Sequence, residues 1–344
     1  MAIKVWQNLI KILPFSSKRH KKGGFTFKKG GFTLIELLVT ILISGVIITA
    51  LLSFVVDLLQ TDRREYARSE TQREMETALN FIVDDLREAV YIYERIEQTR
   101  PNAQPLKNFL PNIANATPVL AFWKAQRLND NELPDPNSCG SNAECKQVVI
   151  RRRTYSLVAY YVAKNPPNDP KWRGKARVIR YVFNKYPSLP NLSKTSGYRD
   201  PAEESSFENW PYVNGSPAGA ATTGNGSMQA VLVDFVDDPN SQGITSEQVE
   251  TCQSTDPNST FYSSDPSNPT YRRIPQQISE SNSFYACVKT LGTVSGTNQQ
   301  EKLNQDVIIF LRGNPIGRVN ARDQQPLLTV RAGAIARGVI DKKP

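Results

Sequence analysis

Four residues at the start of a long apolar run stand out as candidates for chemistry: Gly30, Gly31, Phe32 and Glu36. Glycine before a scissile bond leaves an extended backbone open to a protease, because no Cβ hinders approach. Glu36 places a carboxylate among apolar residues, which costs roughly 2.5–3.5 kcal/mol in a membrane and usually requires a partner. No basic residue follows Lys29 until Arg63. The partner must therefore come from another chain or from a new α-amine at Phe32.

The apolar run itself must position these residues. Residues 32–59 contain only two ionisable side chains, Glu36 and Asp57. A helix of this length reaches about 42 Å, which is enough for a tilted bilayer span. The apolar part of an ordinary secretory signal is much shorter, about 7–15 residues. The run therefore predicts an anchor that stays on the protein.

Positive charge is concentrated before this span. The net charge is +9, and residues 1–31 carry eight Lys or Arg and no acid, which leaves +1 for the rest of the chain. Basic flanks are retained on the cytoplasmic side of a membrane. We expect a single-pass protein of the inner (plasma) membrane, with a cytoplasmic N-terminus. The residues after the span would then lie in the periplasm or outside the cell.

The stretch 28–36, KKGGFTLIE, resembles the processing signal of type IV prepilins and type II secretion pseudopilins. The resemblance implies that a prepilin peptidase recognises Gly30 and Gly31, cleaves after Gly31 and methylates the new amine of Phe32. It also implies that Glu36 pairs with the N-terminal amine of a neighbouring subunit during assembly. Further partners implied are other pilins or pseudopilins in a filament, an inner-membrane assembly platform with a cytoplasmic ATPase, and membrane lipid before assembly.

A near-repeat of this signal lies at residues 21–27, KKGGFTF. A cut after Gly24 would place Lys29, rather than Glu36, fifth in the product, and two glycines would follow it. Charge and poor helix formation both disfavour that site, so the cut after Gly31 is the one we expect.

Side chains that usually carry catalysis or bind metals are scarce. The only histidine, His20, lies in the basic leader, so a processed chain has none. This excludes Ser-His-Asp and Cys-His nucleophile systems and His-ligated metal sites. An acidic cluster at 234–238 lacks EF-hand spacing, and the chain has no Walker A loop. We expect no catalytic residues, no metal site and no cofactor, so the protein is not expected to be an enzyme.

The cysteines are even in number, and none of them forms a CxxC pair: Cys139, Cys145, Cys252 and Cys287. In an oxidising compartment this favours disulfides. Of the three possible pairings, sequence proximity favours Cys139–Cys145 with Cys252–Cys287. A zinc site made of all four thiolates is the alternative.

The fold we expect is α+β and pilin-like. A long N-terminal helix, with a transmembrane half and an amphipathic half, would pack on an antiparallel β-sheet head with long loops. An apolar stripe runs from Met75 to Tyr93 at helical spacing, and no Gly or Pro interrupts residues 46–100. The helix is therefore expected to continue to Arg100, before Pro101. The expected divisions are a cleaved basic leader at 1–31, a transmembrane or fibre-core helix at 32–59, an amphipathic helix at 60–100 and a β-rich head at 101–344.

Within this head, runs rich in Val, Ile, Tyr and Phe and bounded by Pro, Gly, Asn and Asp predict strands. They lie at residues 119–123, 148–155, 157–163, 176–184, 230–236, 284–290, 307–312 and 327–331.

Charge is segregated along the head. Residues 146–185, here called the basic stretch, have a net charge of +10 and six aromatic residues, whereas residues 186–299 have a net charge of −7. Basic groups among aromatics are able to bind a polyanion such as acidic polysaccharide or single-stranded nucleic acid. Arg151, Arg152 and Arg153, at a predicted strand end, are the candidates. The alternative is that the two regions neutralise each other and the aromatics belong to the core.

These features favour a minor pilin or pseudopilin, a structural subunit of a type IV pilus or type II secretion-like filament that serves secretion of polysaccharide or protein, or motility. The large head resembles W-type and J-type minor subunits, and the overall pattern is similar to pseudopilins of the cyanobacterial hormogonium polysaccharide secretion system. The alternative is a pilus-borne adhesin or polyanion-binding module that uses the basic stretch.

Overall fold

One long helix and an antiparallel sheet dominate the computed structural model. It describes residues 30–100, 103–187, 192–203, 207–213, 216–217, 228–241, 249–265, 270–290, 305–318 and 328–336. Helix α1 covers Leu34–Arg87, 54 residues. The chain divides into two units, one up to Leu58 and one from Leu59 onward.

The surroundings of α1 change along its length. Residues 34–63 are exposed. From Ala67 onward one face is buried, at Ala67, Thr71, Met75, Ala78, Leu79, Ile82, Val83, Asp85 and Leu86. These positions recur three or four residues apart, so they form one stripe along a helix.

Helix α1 ends at Arg87, which corrects the expectation of a helix to Arg100. The chain turns at Glu88, whose N–H donates to the Asp85 carbonyl at 3.2 Å. Strand β1, Ala89–Ile92, then pairs antiparallel with β2, Ala116–Arg127. Ala89, Val90 and Tyr93 thus belong to this extended segment and not to a helical stripe. Sheet pairing overrides helical spacing here, because Val, Tyr and Ile fit a pleated surface well.

The remaining strands are β3 (Arg153–Lys164), β4 (Ala176–Asn184), β5 (Tyr212–Val213), β6 (Ser216–Pro217), β7 (Met228–Val236), β8 (Tyr271–Ile274), β9 (Phe284–Lys289), β10 (Gln305–Gly313) and β11 (Leu328–Ala336). Seven of the eight predicted strands correspond to one of these or to β2. Among the described residues, strands β5 and β6 pair with each other in a separate two-stranded sheet.

A second difference concerns residues 148–155, which were expected to form a strand. Most of this range lies in helix α2, Ala143–Arg151, or at its end. The Asn142 side chain caps α2 by accepting hydrogen bonds from the N–H groups of Glu144 and Cys145. Arg152 ends the helix in a left-handed conformation, with φ of 51°, and β3 begins at the next residue. A good N-cap and a disulfide at Cys145 outweigh the β-branched run Val148-Val149-Ile150.

Nine strands form the large sheet. The order β1-β2-β3-β4-β7 continues through β10 to β9 and β8, and β11 pairs with the other edge of β10. Strands β7 and β10 meet only at Val236 and Gly313. A side chain provides a further link, since the Gln305 amide accepts from the Ile92 N–H at 2.8 Å and donates to the Ile92 carbonyl at 2.9 Å. This amide joins β1 to the first residue of β10.

The main core lies between α1 and the sheet. Gly313 is needed there, because a Cβ at this position would lie only 2.9 Å from Cγ2 of Thr71 on α1. The opposite face of the sheet is covered by an aromatic segment, in which Trp210 packs against Trp123 with ring centroids 5.2 Å apart. Tyr198 packs edge-on against the same indole. A long helix followed by an antiparallel sheet confirms the α+β, pilin-like fold.

Candidate functional site

The amino-terminal segment, residues 30–36, forms the candidate site. Gly30 and Gly31 are not helical, and a Cβ built on either would meet no other atom within 4 Å. Phe32 is 80% exposed. The backbone around the expected cleavage point is thus non-helical and unobstructed, which leaves it accessible to a protease. The residues before Gly30 lie outside those that the structure describes.

Thr33 starts helix α1 in a way that our sequence interpretation missed. Its Oγ1 accepts a hydrogen bond from the Glu36 N–H at 3.3 Å, and its carbonyl accepts from the Leu37 N–H at 3.1 Å. These are the contacts of an N-cap residue. Thr33 and Glu36 have the spacing of a capping box, Thr-x-x-Glu, which was a readable signal. The cap places the helix start immediately after the expected cut.

The first part of α1 presents apolar side chains on every side. Large side chains that are 44–86% exposed occupy most positions from Leu34 to Leu59. Among the described residues, α1 is the one helix that is long and apolar enough to cross a membrane. Such a surface requires lipid or other apolar chains around it.

Comparison with known protein families matches residues 26–52 to the prokaryotic N-terminal methylation motif. The chain is type IV prepilin-like. The match covers the expected cleavage point, the Thr33 cap and Glu36. No curated protein and no solved structure matches the chain.

A prepilin-like N-terminus implies processing by a prepilin peptidase and assembly with other pilins. Together with the apolar helix, it also suggests membrane anchoring. Proteins that carry this motif are structural subunits rather than enzymes.

A buried charge cluster holds the second part of α1 against the sheet. The Asp85 carboxylate accepts hydrogen bonds from Arg180 Nε at 2.6 Å, the Tyr160 hydroxyl at 2.6 Å and Lys124 Nζ at 2.9 Å. The three partners come from β4, β3 and β2. Burial alone raises the pKa of Asp85, but the hydrogen bonds from Arg180, Tyr160 and Lys124 outweigh it and hold the pKa below its usual value. An ionised Asp85 thus fixes α1 to three strands.

The acidic cluster at 234–238 uses its oxygens within the protein. Asp234 accepts from the backbone N–H groups of Arg173 and Gly174 and from the Asn165 amide. Fully buried Asp237 accepts from Arg312 at 3.1 Å and from Asn314 at 2.7 Å. Asp238 pairs with Lys164. Among the described residues, no three His, Cys, Asp or Glu side chains are grouped to hold a metal ion.

The structure contains two disulfides, Cys139–Cys145 and Cys252–Cys287. The first closes a short loop that ends in the first turn of α2. The second joins residue 252 to β9 and lies in a smaller apolar cluster with Phe261, Tyr271 and Phe310. All four thiols are used in this way, which leaves none for a zinc site.

At least five of the eleven cations of the basic stretch have acidic partners, including Arg152, which pairs with Asp130. Lys164, Lys175, Arg180 and Lys185 pair with Asp238, Asp237, Asp85 and Asp200 respectively. Four of its six aromatic side chains are buried, namely Tyr160, Tyr161, Tyr181 and Phe183. Neutralisation within the protein therefore accounts for part of the charge segregation. Arg151, Arg152 and Arg153 are all exposed at the junction of α2 and β3, and Arg152 pairs with the exposed Asp130.

Proposed function

We propose that this chain is a minor pilin or pseudopilin, a structural subunit of a type IV pilus or a type II secretion-like filament. One observation carries the proposal: the methylation motif coincides with an uncovered, non-helical segment that runs into a capped helix whose first part exposes apolar side chains on every side. In this proposal, cleavage falls between Gly31 and Phe32, Phe32 is methylated, and the apolar part of α1 moves from the bilayer into the filament.

The orientation follows from the charge distribution. The basic leader stays in the cytoplasm, 32–59 spans the inner membrane, and the part that contains the sheet lies in the periplasm or outside the cell. The disulfides Cys139–Cys145 and Cys252–Cys287 support this placement, because disulfides persist in oxidising compartments. An assembly platform with a cytoplasmic ATPase would extract the subunit from the membrane.

The large sheet and its long connections favour a minor subunit over a small major pilin. The finer assignment we propose is a W/J-like subunit of a filament for secretion of polysaccharide or protein, or for motility. The similarity to cyanobacterial polysaccharide-secretion pseudopilins belongs to this finer proposal. Deletion of the gene, scored for secretion of each polymer and for movement, would distinguish these roles.

The mature N-terminus provides the decisive experiment. The protein is isolated from a host that has a prepilin peptidase, and its terminal peptide is identified by mass spectrometry. We expect N-methylated Phe32. A Gly31→Leu variant should accumulate as the precursor, because a branched side chain blocks the extended backbone from the protease.

The near-repeat supplies a matched control. A Gly24→Leu variant makes the same change in the same local sequence and should be processed like the unmodified chain. A mature protein that begins at Phe25, or an intact Met1, would overturn the proposal.

A further inference from the structure

Four exposed arginines cluster at one end of strands β2 and β3. This arginine patch consists of Arg127, Arg151, Arg152 and Arg153. Arg127 and Arg153 stand directly opposite each other in the β2–β3 ladder. Like charges in such positions are destabilising, by up to roughly 1 kcal/mol. The fold therefore tolerates an unfavourable pair at this place.

Few acids oppose this patch. Arg152 pairs with Asp130 at 3.0 Å, and both side chains are largely exposed. Across the described ranges, Arg127, Arg151 and Arg153 have no carboxylate partner. Glu132 lines the adjoining cleft. Two further acids nearby are already used, since Glu144 bonds to Tyr186, Lys185 and Lys194 and Asp200 pairs with Lys185. An excess of positive charge remains for an anionic ligand.

A polar cleft of about 300 Å³ adjoins the patch and includes Arg127 in its lining. Its other lining residues come from the ends of β2, β3 and β4 and from the chain after them: Gln126, Leu128, Asn129, Glu132, Thr154, Asn184, Tyr186 and Pro187. Three amides, two hydroxyls and a carboxylate provide both donors and acceptors. The volume lies at the lower end of the range for small-molecule sites. Such a lining matches a ligand rich in hydroxyl groups.

Nucleic acid fits this surface less well than a sugar polymer does. Single-stranded nucleic acid binds through rows of aromatic side chains on which bases stack. The aromatics of β3 and β4 that would supply such a row are in the core, with Tyr160 and Phe183 fully buried. The amides of the cleft suit sugar hydroxyls instead.

We propose that the arginine patch and the adjoining cleft bind an acidic polysaccharide. Carboxylates of uronic-acid units pair with Arg127, Arg151 and Arg153, and a sugar ring of the same polymer occupies the cleft. Arginine suits this role because its guanidinium binds a carboxylate through two parallel hydrogen bonds. This inference goes beyond the proposed function and does not depend on filament assembly.

The test measures binding of the full-length chain, in detergent micelles, to polygalacturonate, neutral dextran and single-stranded DNA. We expect binding to polygalacturonate that weakens with salt, and weaker binding to the other two polymers. The double variant R127A/R153A should bind polygalacturonate about tenfold more weakly, as the loss of two exposed ion pairs implies. R127K/R153K keeps the charges without the bidentate geometry and should lose less affinity.

A matched control removes two cations at the other end of β3 and β4. Lys171 and Arg173 are exposed in the loop that joins these strands. K171A/R173A changes the net charge as R127A/R153A does, and it should retain affinity within twofold. Equal losses in both double variants would show a general charge effect and overturn the proposal.

The cleft has its own variant, Asn129→Ala, whose side chain is exposed. It should lower affinity for polygalacturonate about threefold and leave binding to polyglutamate unchanged, because the proposed cleft contact is with a sugar ring and polyglutamate has none. Binding that survives in R127A/R153A, or DNA that binds as tightly as polygalacturonate, would refute the assignment. Equal melting temperatures would show that the variants fold.

Discussion

Glu36 and Asp85 lie on the same helix, and their surroundings are opposite. Asp85 is buried and receives hydrogen bonds from Lys124, Tyr160 and Arg180, which belong to three strands of the same chain. Glu36 is exposed, and the structure gives its carboxylate no basic partner among the described residues. The charge of Asp85 thus serves the fold of this chain. The charge of Glu36 is available to another chain.

The same contrast extends to the two regions of the molecule. Residues 34–58 expose apolar side chains that no part of this unit covers. From Ala67 onward, the helix buries its apolar stripe and adds a charge cluster. The first region is organised for contacts between molecules and the second for contacts within one molecule. Variants should therefore affect assembly in the first region and stability in the second.

The largest effect is expected from Glu36→Leu. Assembly should fall at least tenfold, because the carboxylate that pairs with a neighbouring N-terminal amine is gone. The measurement is the fraction of the protein recovered in sheared filaments. The unfolding midpoint of the sheet-containing unit should not change. If Glu36→Leu assembled normally, the charge of Glu36 would not serve contacts between chains, and the contrast with Asp85 would be wrong.

Asp85→Ala should show the reverse behaviour. It leaves Arg180 and Lys124 without their shared carboxylate in a largely buried site, which costs about 3–5 kcal/mol in the free energy of unfolding. Denaturant titration gives this quantity. Asp84→Ala is the matched control, because Asp84 is an exposed neighbour that pairs with the exposed Arg87 and should change stability by less than about 1 kcal/mol.

The two disulfides should also stabilise the second region, and by different amounts. Replacement of Cys252 and Cys287 by Ala should cost about 3–4 kcal/mol, because this disulfide closes a loop with a sequence separation of 35. The corresponding change at Cys139 and Cys145, with a separation of 6, should cost about 2 kcal/mol. Unfolding midpoints measure both. If loss of Cys139–Cys145 lowered stability more than loss of Cys252–Cys287, loop-closure entropy would not explain the stabilisation by these disulfides.

A smaller effect should appear in the pH dependence of stability. Burial, a hydrogen bond with Glu280 and repulsion from its charge raise the pKa of Glu97 from 4.5 to about 7, whereas Lys107 and the Gln276 N–H act in the other direction. The folded state binds the proton more tightly, so this contribution is present below pH 4.5 and is lost as pH rises to 7. Glu97 is half-buried, which reduces the expected change to about 1 kcal/mol.

Glu280→Gln removes the repelling charge and should flatten this pH dependence. Asp85 contributes a slope of the opposite sign at lower pH. Its lowered pKa stabilises the folded state above the usual pKa, and this stability is lost as pH falls through the folded-state pKa. The two slopes therefore occupy different pH ranges. Burial of Glu97 is unchanged in this variant, so part of the slope should remain. A slope of unchanged size in Glu280→Gln would contradict the assignment to Glu97 and Glu280.

The elements that follow local patterns could be predicted from the sequence. The strand at residues 176–184 was predicted with the bounds of β4, because a Val, Ile, Tyr and Phe run ends in Asn at a turn. The long helix and its apolar segment were predicted for the same kind of reason. The helix end at Arg87 was not, because the β1–β2 pairing and the amide of Gln305 stop the helix without any Gly or Pro.

The candidate sites divide in the same way. The stretch 28–36 is a local motif, so the sequence predicted it. The Thr-x-x-Glu spacing within it also indicates the Thr33 cap, although our sequence interpretation did not use it. The Asp85 cluster joins residues 39, 75 and 95 positions apart, which no local pattern encodes. Arg127 joins the arginine patch only through strand pairing with Arg153. Contacts of this kind follow from the fold and not from spacing.

The Thr33 cap has a consequence for the processed chain. Cleavage after Gly31 would leave a single residue, Phe32, before the capped helix, so the new ammonium group would lie at the positive end of the helix dipole. That position disfavours a cation and favours an anion. The helix start would therefore attract a carboxylate as soon as the leader is removed. Proteolysis would in this way create a positive charge at the helix start that a carboxylate of a second subunit neutralises. Only a cleaved subunit would then have the charge that favours its entry into a filament.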